Sequence, residues 1–216
     1  MDYEKERNLI CEVGKILYDR GHVAANDGNL SIRVAENLAL VTPSGISKGR
    51  LLPDILPLVD LDGNILEGKY SPSSETPMHL IVYKKRPDVN AVVHTHPAYA
   101  TAFSLCRMDI RAPYLSDPVL CTKEFAMPAT DEVPNSLLPY LADQNALLLA
   151  NHGPITWGRN IWEAFDRMEG VEHMAKILFN ARMLGTPVEF SEEEAERLKN
   201  QSSFYANLRK AIRRDF

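Results

Sequence analysis

His94 and His96 stand one residue apart at the end of an apolar run, AVVHTHPAYA (91–100). In a strand, residues i and i+2 share one face, so the two imidazoles can converge on one point. His152 closes a second apolar run, in LLLANHGPITWG, and Gly153 after it lets the backbone turn sharply. Glu75 sits in a third polar stretch, PSSETPMH. Neutral imidazoles and a carboxylate are the common ligands of a catalytic zinc site. Three histidines leave a further position for water, substrate or a carboxylate, the arrangement of a Lewis-acid centre rather than a closed structural one. For each histidine alone, a strand-end residue with no ligand role is the plainer alternative. His22, His79 and His173 read as structural or surface residues, with Glu169 one helical turn before His173 as its partner.

A second group of residues could hold an anion. NDGN (26–29), PSG (43–45) and PSS (72–74) are short, polar loops, two of them containing glycine. Such loops offer backbone N–H groups and hydroxyls that can cradle a phosphate, helped by a helix beginning near Glu75. Each alone is also an ordinary turn. Neither G-x-x-x-x-G-K-S/T nor G-x-G-x-x-G occurs, so a nucleotide cofactor is not supported. No G-x-S-x-G occurs either, which argues against a serine hydrolase.

The elements that must position these residues alternate in type. Residues 3 to 20 carry Leu9, Ile10, Val13, Ile16 and Leu17 at helical spacing, with Gly21 as the C-terminal stop. NLSIRV and NLALVT read as paired strands, and LPLVDLDGNILEG as a hairpin around Asp62-Gly63. A helix starts near Glu75, with Ser74 as its expected N-cap, and stops before Pro87. VNAVVHTH is a short buried strand, and PAYATAFSL a helix opened by Pro97. Residues 107 to 135 are Pro-rich and read as loops and short strands. NALLLAN is another buried strand, and two helices, about 160–184 and 191–213, close the chain. Helices and strands intermix throughout, so one layered α/β domain over residues 1–216 is expected.

Composition is that of a globular protein: 216 residues, 45% hydrophobic, 25% charged, formal net charge −5. No Lys/Arg stripe stands out except near the end of the chain, so a nucleic-acid partner is not expected. No apolar run approaches the ~20 residues needed to span a bilayer, and the charged N-terminus lacks a signal core. Cys11, Cys106 and Cys121 are too few and too scattered for a disulfide framework, which fits the cytoplasm.

DGNLSIR, VTPSGI, PSSETPMHLIVY, AVVHTHPAYAT and LLLANHGPITWG together resemble, in order and spacing, the class II aldolase/adducin family. The resemblance covers about residues 5 to 185 and is nearest to the fuculose-phosphate aldolases of that family. It implies a three-layer α/β/α fold around a central mixed, largely antiparallel sheet. It implies one Zn2+ per subunit held by His94, His96 and His152, with Glu75 a resting-state ligand that becomes the general base. By the same resemblance, phosphate binding falls to Gly28, Asn29, Ser44, Gly45, Ser73 and Ser74, and Tyr114 is the acid at the aldehyde oxygen, with Tyr205 a weaker candidate. A homotetramer with active sites at subunit interfaces is also implied. The activity so implied is cleavage of a short ketose 1-phosphate to dihydroxyacetone phosphate and a small aldehyde. Alternatives on the same zinc scaffold are a ribulose-5-phosphate 4-epimerase, a methylthio-sugar phosphate dehydratase and a decarboxylase. A non-enzymatic, adducin-like binding module would lack the zinc ligands. Two departures stand out: Asn26 replaces a frequent Thr, and the segment after Tyr114 lacks the usual Gly-rich turn.

Overall fold

The computed structural model describes residues 2–108, 110, 125–126, 133–191, 193–194 and 197. The chain opens with α1 (Glu4–Asp19), β1 (Asn29–Ala35), β2 (Leu38–Val41), β3 (Leu58–Asp60) and β4 (Ile65–Glu67). It continues through α2 (Thr76–Lys85), β5 (Ala91–His94), α3 (Ala98–Leu105), β6 (Phe125–Ala126) and α4 (Val133–Ser136). The hairpin of β7 (Ala146–Leu149) and β8 (Gly153–Gly158) leads into α5 (Ile161–Leu184). Among the described residues these strands form one eight-stranded sheet, in the order β4-β3-β2-β1-β5-β8-β7-β6. Only the β6–β7 pair is parallel, so the sheet is mixed and largely antiparallel, as expected.

Strand parity divides the core into two faces. On one face Leu30, Ile32, Ala91 and Val93 pack against α1 and α5, through Ile10, Leu17 and Phe165. On the other, Val41, Val92, Leu147, Ile155 and Trp157 meet Leu80 and Val82 of α2. Three layers result. β5, β7 and β8 are buried along their whole lengths, as strands covered on both faces must be.

Several expectations are met in detail. Gly21, at φ 73°, follows the last turn of α1, and its N–H is bonded to the Tyr18 carbonyl. Asp62-Gly63 makes the β3–β4 turn, with Asp60 Oδ1 accepting from the Asp62 and Asn64 amides. Other expectations need correction. Ser74 does not cap α2: Glu75 occupies the N-cap position, and its amide donates to Ser73 Oγ at 3.3 Å. GPITWG, which begins and ends in glycine and carries Pro154, is assigned to no element from its sequence. It is the strand β8 because β5 and β7 pair with it on both edges. Glu169 pairs with Arg20 at the end of α1 rather than being reserved for His173. The expected helix over 191–213 lies largely outside the described residues. No helix among the described residues is long and apolar enough to cross a membrane.

Arg7 ties α1 to the rest of the fold. Its guanidinium is 1% exposed and donates to the Leu56 carbonyl at 2.6 Å, the Pro53 carbonyl at 3.1 Å and Glu67 at 2.9 Å. Removing a donor from a buried acceptor leaves the acceptor's desolvation uncompensated, at about 1–3 kcal/mol each. Arg7→Met is therefore expected to lower stability by about 2–4 kcal/mol, read as a shifted urea midpoint with an unchanged m-value.

Candidate metal centre

His94 is the last residue of β5 and is fully buried. Its Nδ1 lies 2.8 Å from the Pro154 carbonyl of β8. A carbonyl only accepts, so Nδ1 carries the proton and Nε2 is left as a lone pair. His96 lies two residues on, and its Nε2 is 3.0 Å from that of His94. The other nitrogen of His96 faces Asp27 Oδ2 at 3.4 Å, which again places the proton on Nδ1. His152 sits in the β7–β8 turn, after Asn151 at φ 56°, with its Nε2 3.3 Å from His94 Nε2. Glu75 completes the group, Oε1 at 2.8 Å from His152 Nε2 and Oε2 at 3.5 Å from His94 Nε2. One ligand atom from each of the four residues lies within 4.8 Å of all the others.

These residues fit a divalent cation. Two imidazole lone pairs 3.0 Å apart with no proton between them repel, and a cation among them removes the repulsion. The spacings of His94 Nε2 from His96 Nε2 and His152 Nε2 are close to the roughly 3.3 Å edges of a tetrahedron whose metal–nitrogen bonds are about 2.0–2.1 Å. Electrostatics point the same way. Burial pushes His94 down to about 3, against the opposing pull of Glu75, so its imidazole is neutral and able to ligate. His96 is lowered too, by burial and then by His152. Burial alone would raise the Glu75 carboxyl. The hydrogen bond from His152, the nearby His94 and His152 rings and the Asn29 amide outweigh it and bring Glu75 well below the usual carboxylate range.

The expected phosphate residues gather beside this group. Gly28 holds φ 68°, and a Cβ there would stand 2.9 Å from the His94 carbonyl, so only glycine lets this loop cross the end of β5. Asn29 opens β1 opposite His94, and its Nδ2 donates to Glu75 Oε2 at 2.5 Å and Ser73 Oγ at 3.3 Å. The loops of Ser44 and Ser73 are laced together by Ser44 N–H to Ser71 O and Ser73 N–H to Thr42 O, at 2.9 and 3.1 Å. Ser44, Gly45 and Ser74 are exposed. Tyr114 and Tyr205 lie outside the described residues.

Four side chains escape the sequence reading. Asp27 stands behind His96. Lys48 is 2% exposed, and its Nζ bonds the Asn26 and Ile46 carbonyls at 3.0 and 2.7 Å, joining two of the polar loops from beneath. Burial pushes its ammonium down to about 8. His79 and Ser31 lie behind Asn29. His79 had a signal: it follows Glu75 by four residues, one helical turn, on the same face.

Comparison with known proteins agrees with this architecture. Residues 8–179 match the family described as Class II Aldolase and Adducin N-terminal domain. The 5-deoxy-D-ribulose 1-phosphate aldolase of Bacillus thuringiensis is 34% identical, over 94% of this chain and 97% of that protein. The 3-oxo-tetronate 4-phosphate decarboxylase of Haemophilus influenzae is also 34% identical, over 91% and 97%. A solved L-fuculose 1-phosphate aldolase superposes with a TM-score of 0.80 at 32% identity, over 93% of this chain and 97% of that one. The chain belongs to the class II aldolase and adducin family. It is an enzyme of the lyase class.

Gly153 offers a direct check on the centre. A Cβ there would stand 2.6 Å from the Thr95 carbonyl and 2.8 Å from His96 Cδ2. Gly153→Ala is expected to displace His96 and weaken divalent-metal binding about tenfold while the protein remains folded, since such overpacking costs about 1–3 kcal/mol. Zinc titration against a chelator, with circular dichroism as the folding control, measures it.

Proposed function

We propose that the chain is a zinc-dependent aldolase that cleaves a short ketose 1-phosphate into dihydroxyacetone phosphate and a small aldehyde. The observation that carries this reading is the Glu75 carboxylate set among three imidazoles and hydrogen-bonded, through Asn29, to the Ser73 loop. His94, His96 and His152 would hold the ion, with Glu75 as a fourth ligand at rest. When bound, zinc supplies Lewis-acid stabilisation of the negative charge that develops on the ketose oxygens. The Ser44–Gly45 and Ser73–Ser74 loops bind the phosphate, and binding there positions the reacting carbons. Glu75 moves the proton. In synthesis it takes a proton from the hydroxymethyl carbon of dihydroxyacetone phosphate, and in cleavage it returns that proton to the same carbon. Tyr114 exchanges the proton of the aldehyde oxygen. Family resemblance supports a homotetramer acting in the cytoplasm.

A second reading, decarboxylation of a 3-oxo acid phosphate, draws on the equally similar decarboxylase relative. Loss of carbon dioxide from such an acid leaves the same enediolate-like charge, stabilised by the same groups. Epimerase and dehydratase activity have no such relative among those described above.

A panel of ketose 1-phosphates and 3-oxo acid phosphates, assayed for dihydroxyacetone phosphate, aldehyde and carbon dioxide, separates the readings. Equimolar aldehyde and dihydroxyacetone phosphate are expected, and carbon dioxide as the sole co-product would replace the first reading by the second. Chelator-stripped protein is expected to be inactive and to recover with zinc. Glu75→Gln should keep zinc yet lose at least about 10²-fold in turnover, the lower range for general acid–base catalysis. His96→Ala should lose the metal. Full turnover in Glu75→Gln would remove Glu75 as the proton carrier.

A further inference from the structure

Behind Glu75 runs a line of buried polar groups, of which the expected phosphate site accounts for Asn29 alone and the metal for none. Asn29, Ser31, His79 and Tyr83 are each 3% exposed or less, so water does not compete for their hydrogen bonds. Two elements supply them. Asn29 and Ser31 are i and i+2 on β1, and His79 and Tyr83 follow Glu75 at i+4 and i+8 along α2.

We propose that Tyr83, Ser31 and His79 form a one-way chain of hydrogen-bond donors that locks the Asn29 amide with its NH2 group against Glu75, which makes His79 a positioning residue for the proton carrier. The inference rests on the role of Glu75 proposed above.

The direction of each bond follows from the charge at the end of the chain. An ionised carboxylate only accepts. Asn29 must therefore present Nδ2 to Glu75 Oε2, at 2.5 Å. The reversed amide would set two acceptors against each other. Asn29 Oδ1 then points backwards, 2.6 Å from His79 Nε2, so that nitrogen must carry a proton. Burial pushes His79 down to about 4, so the ring is neutral and has one N–H only. Its Nδ1 is left as an acceptor for Ser31 Oγ at 2.7 Å. Ser31 has one proton, and it is used. Its oxygen accepts from the Tyr83 hydroxyl at 2.6 Å. Burial raises the Tyr83 phenol, so it keeps the proton that starts the chain. No link can be reversed while Glu75 is charged.

Three substitutions at His79 test this. Gln places an NH2 group where Nε2–H stood and can still donate to Asn29. Asn is shorter, reaches the Nδ1 position and cannot. Leu fills the space with no donor. The readouts are zinc affinity, by chelator competition, and kcat. Losing such a supporting partner typically costs about 10–100-fold in metal affinity or activity. His79→Leu and His79→Asn are expected to lose that much in both readouts, and His79→Gln to stay within a few-fold of wild type. Equal values for Gln and Asn would overturn the proposal, because packing alone would then explain the site. If His79→Leu does not fold, the Gln/Asn pair decides by itself. Failure here is distinct from failure of the proposed function. An inactive Glu75→Gln beside wild-type behaviour in His79→Asn leaves Glu75 in its role and removes the chain.

Discussion

A negative charge drawn largely out of water governs this structure. Glu75 is a carboxylate whose burial favours the neutral acid, yet its neighbours keep it ionised. An isolated buried charge is expensive, so it persists only where it is paired and hydrogen-bonded. Here the hydrogen bonds come from His152 on one side and the Asn29 amide on the other. The same charge makes the three-histidine cluster attractive to a cation. It also fixes the direction of every hydrogen bond running back to Tyr83.

The sheet order explains why these groups meet. β1, β5 and β8 are adjacent at the centre of the sheet. Register sets Asn29 opposite His94 and His94 opposite Ile155. Parity then turns Asn29, Ser31 and His94 to the α2 face, where the helix begins with Glu75. His152 arrives from the β7–β8 turn, one strand further along. Antiparallel pairing thus brings ligands separated by 58 residues to within 3.3 Å. Of the three imidazoles, His94 stands on the rigid end of β5, and His96 and His152 sit just beyond strand ends, which suits a centre whose ligand spacing must be kept to a fraction of an ångström.

Much of this was legible in the sequence, for identifiable reasons. H-x-H was legible as a converging pair, although β5 ends at His94 and His96 lies two residues beyond it rather than on the strand. His152 and Glu75 stood out as polar residues beside apolar runs or at a helix start. The strand β8 was not legible, because Gly153, Pro154 and Gly158 imitate a loop and only its two neighbours make it a strand. Ser74 looked like the cap because hydroxyls favour that position, but the turn carries Ser73 to the Glu75 amide instead. His79 read as structural because a buried histidine usually is. Its partner Asn29 lies 50 residues away, on another element.

Relatives of equal similarity carry aldolase and decarboxylase names, and the site offers a physical reason for one scaffold serving both. Each reaction breaks a carbon–carbon bond next to a carbonyl and leaves the electron pair on the same side. In the proposed reading the histidines, Glu75 and the Ser44 and Ser73 loops all act on that retained fragment. They are therefore indifferent to what departs. Retro-aldol cleavage further requires that a hydroxyl proton be removed as the aldehyde leaves, whereas carbon dioxide leaves from an ionised carboxylate with no proton to lose. The choice between the two chemistries therefore rests with the groups that face the departing fragment. Tyr114 is the proton acceptor proposed for that side, and an aldolase needs such a group where a decarboxylase does not.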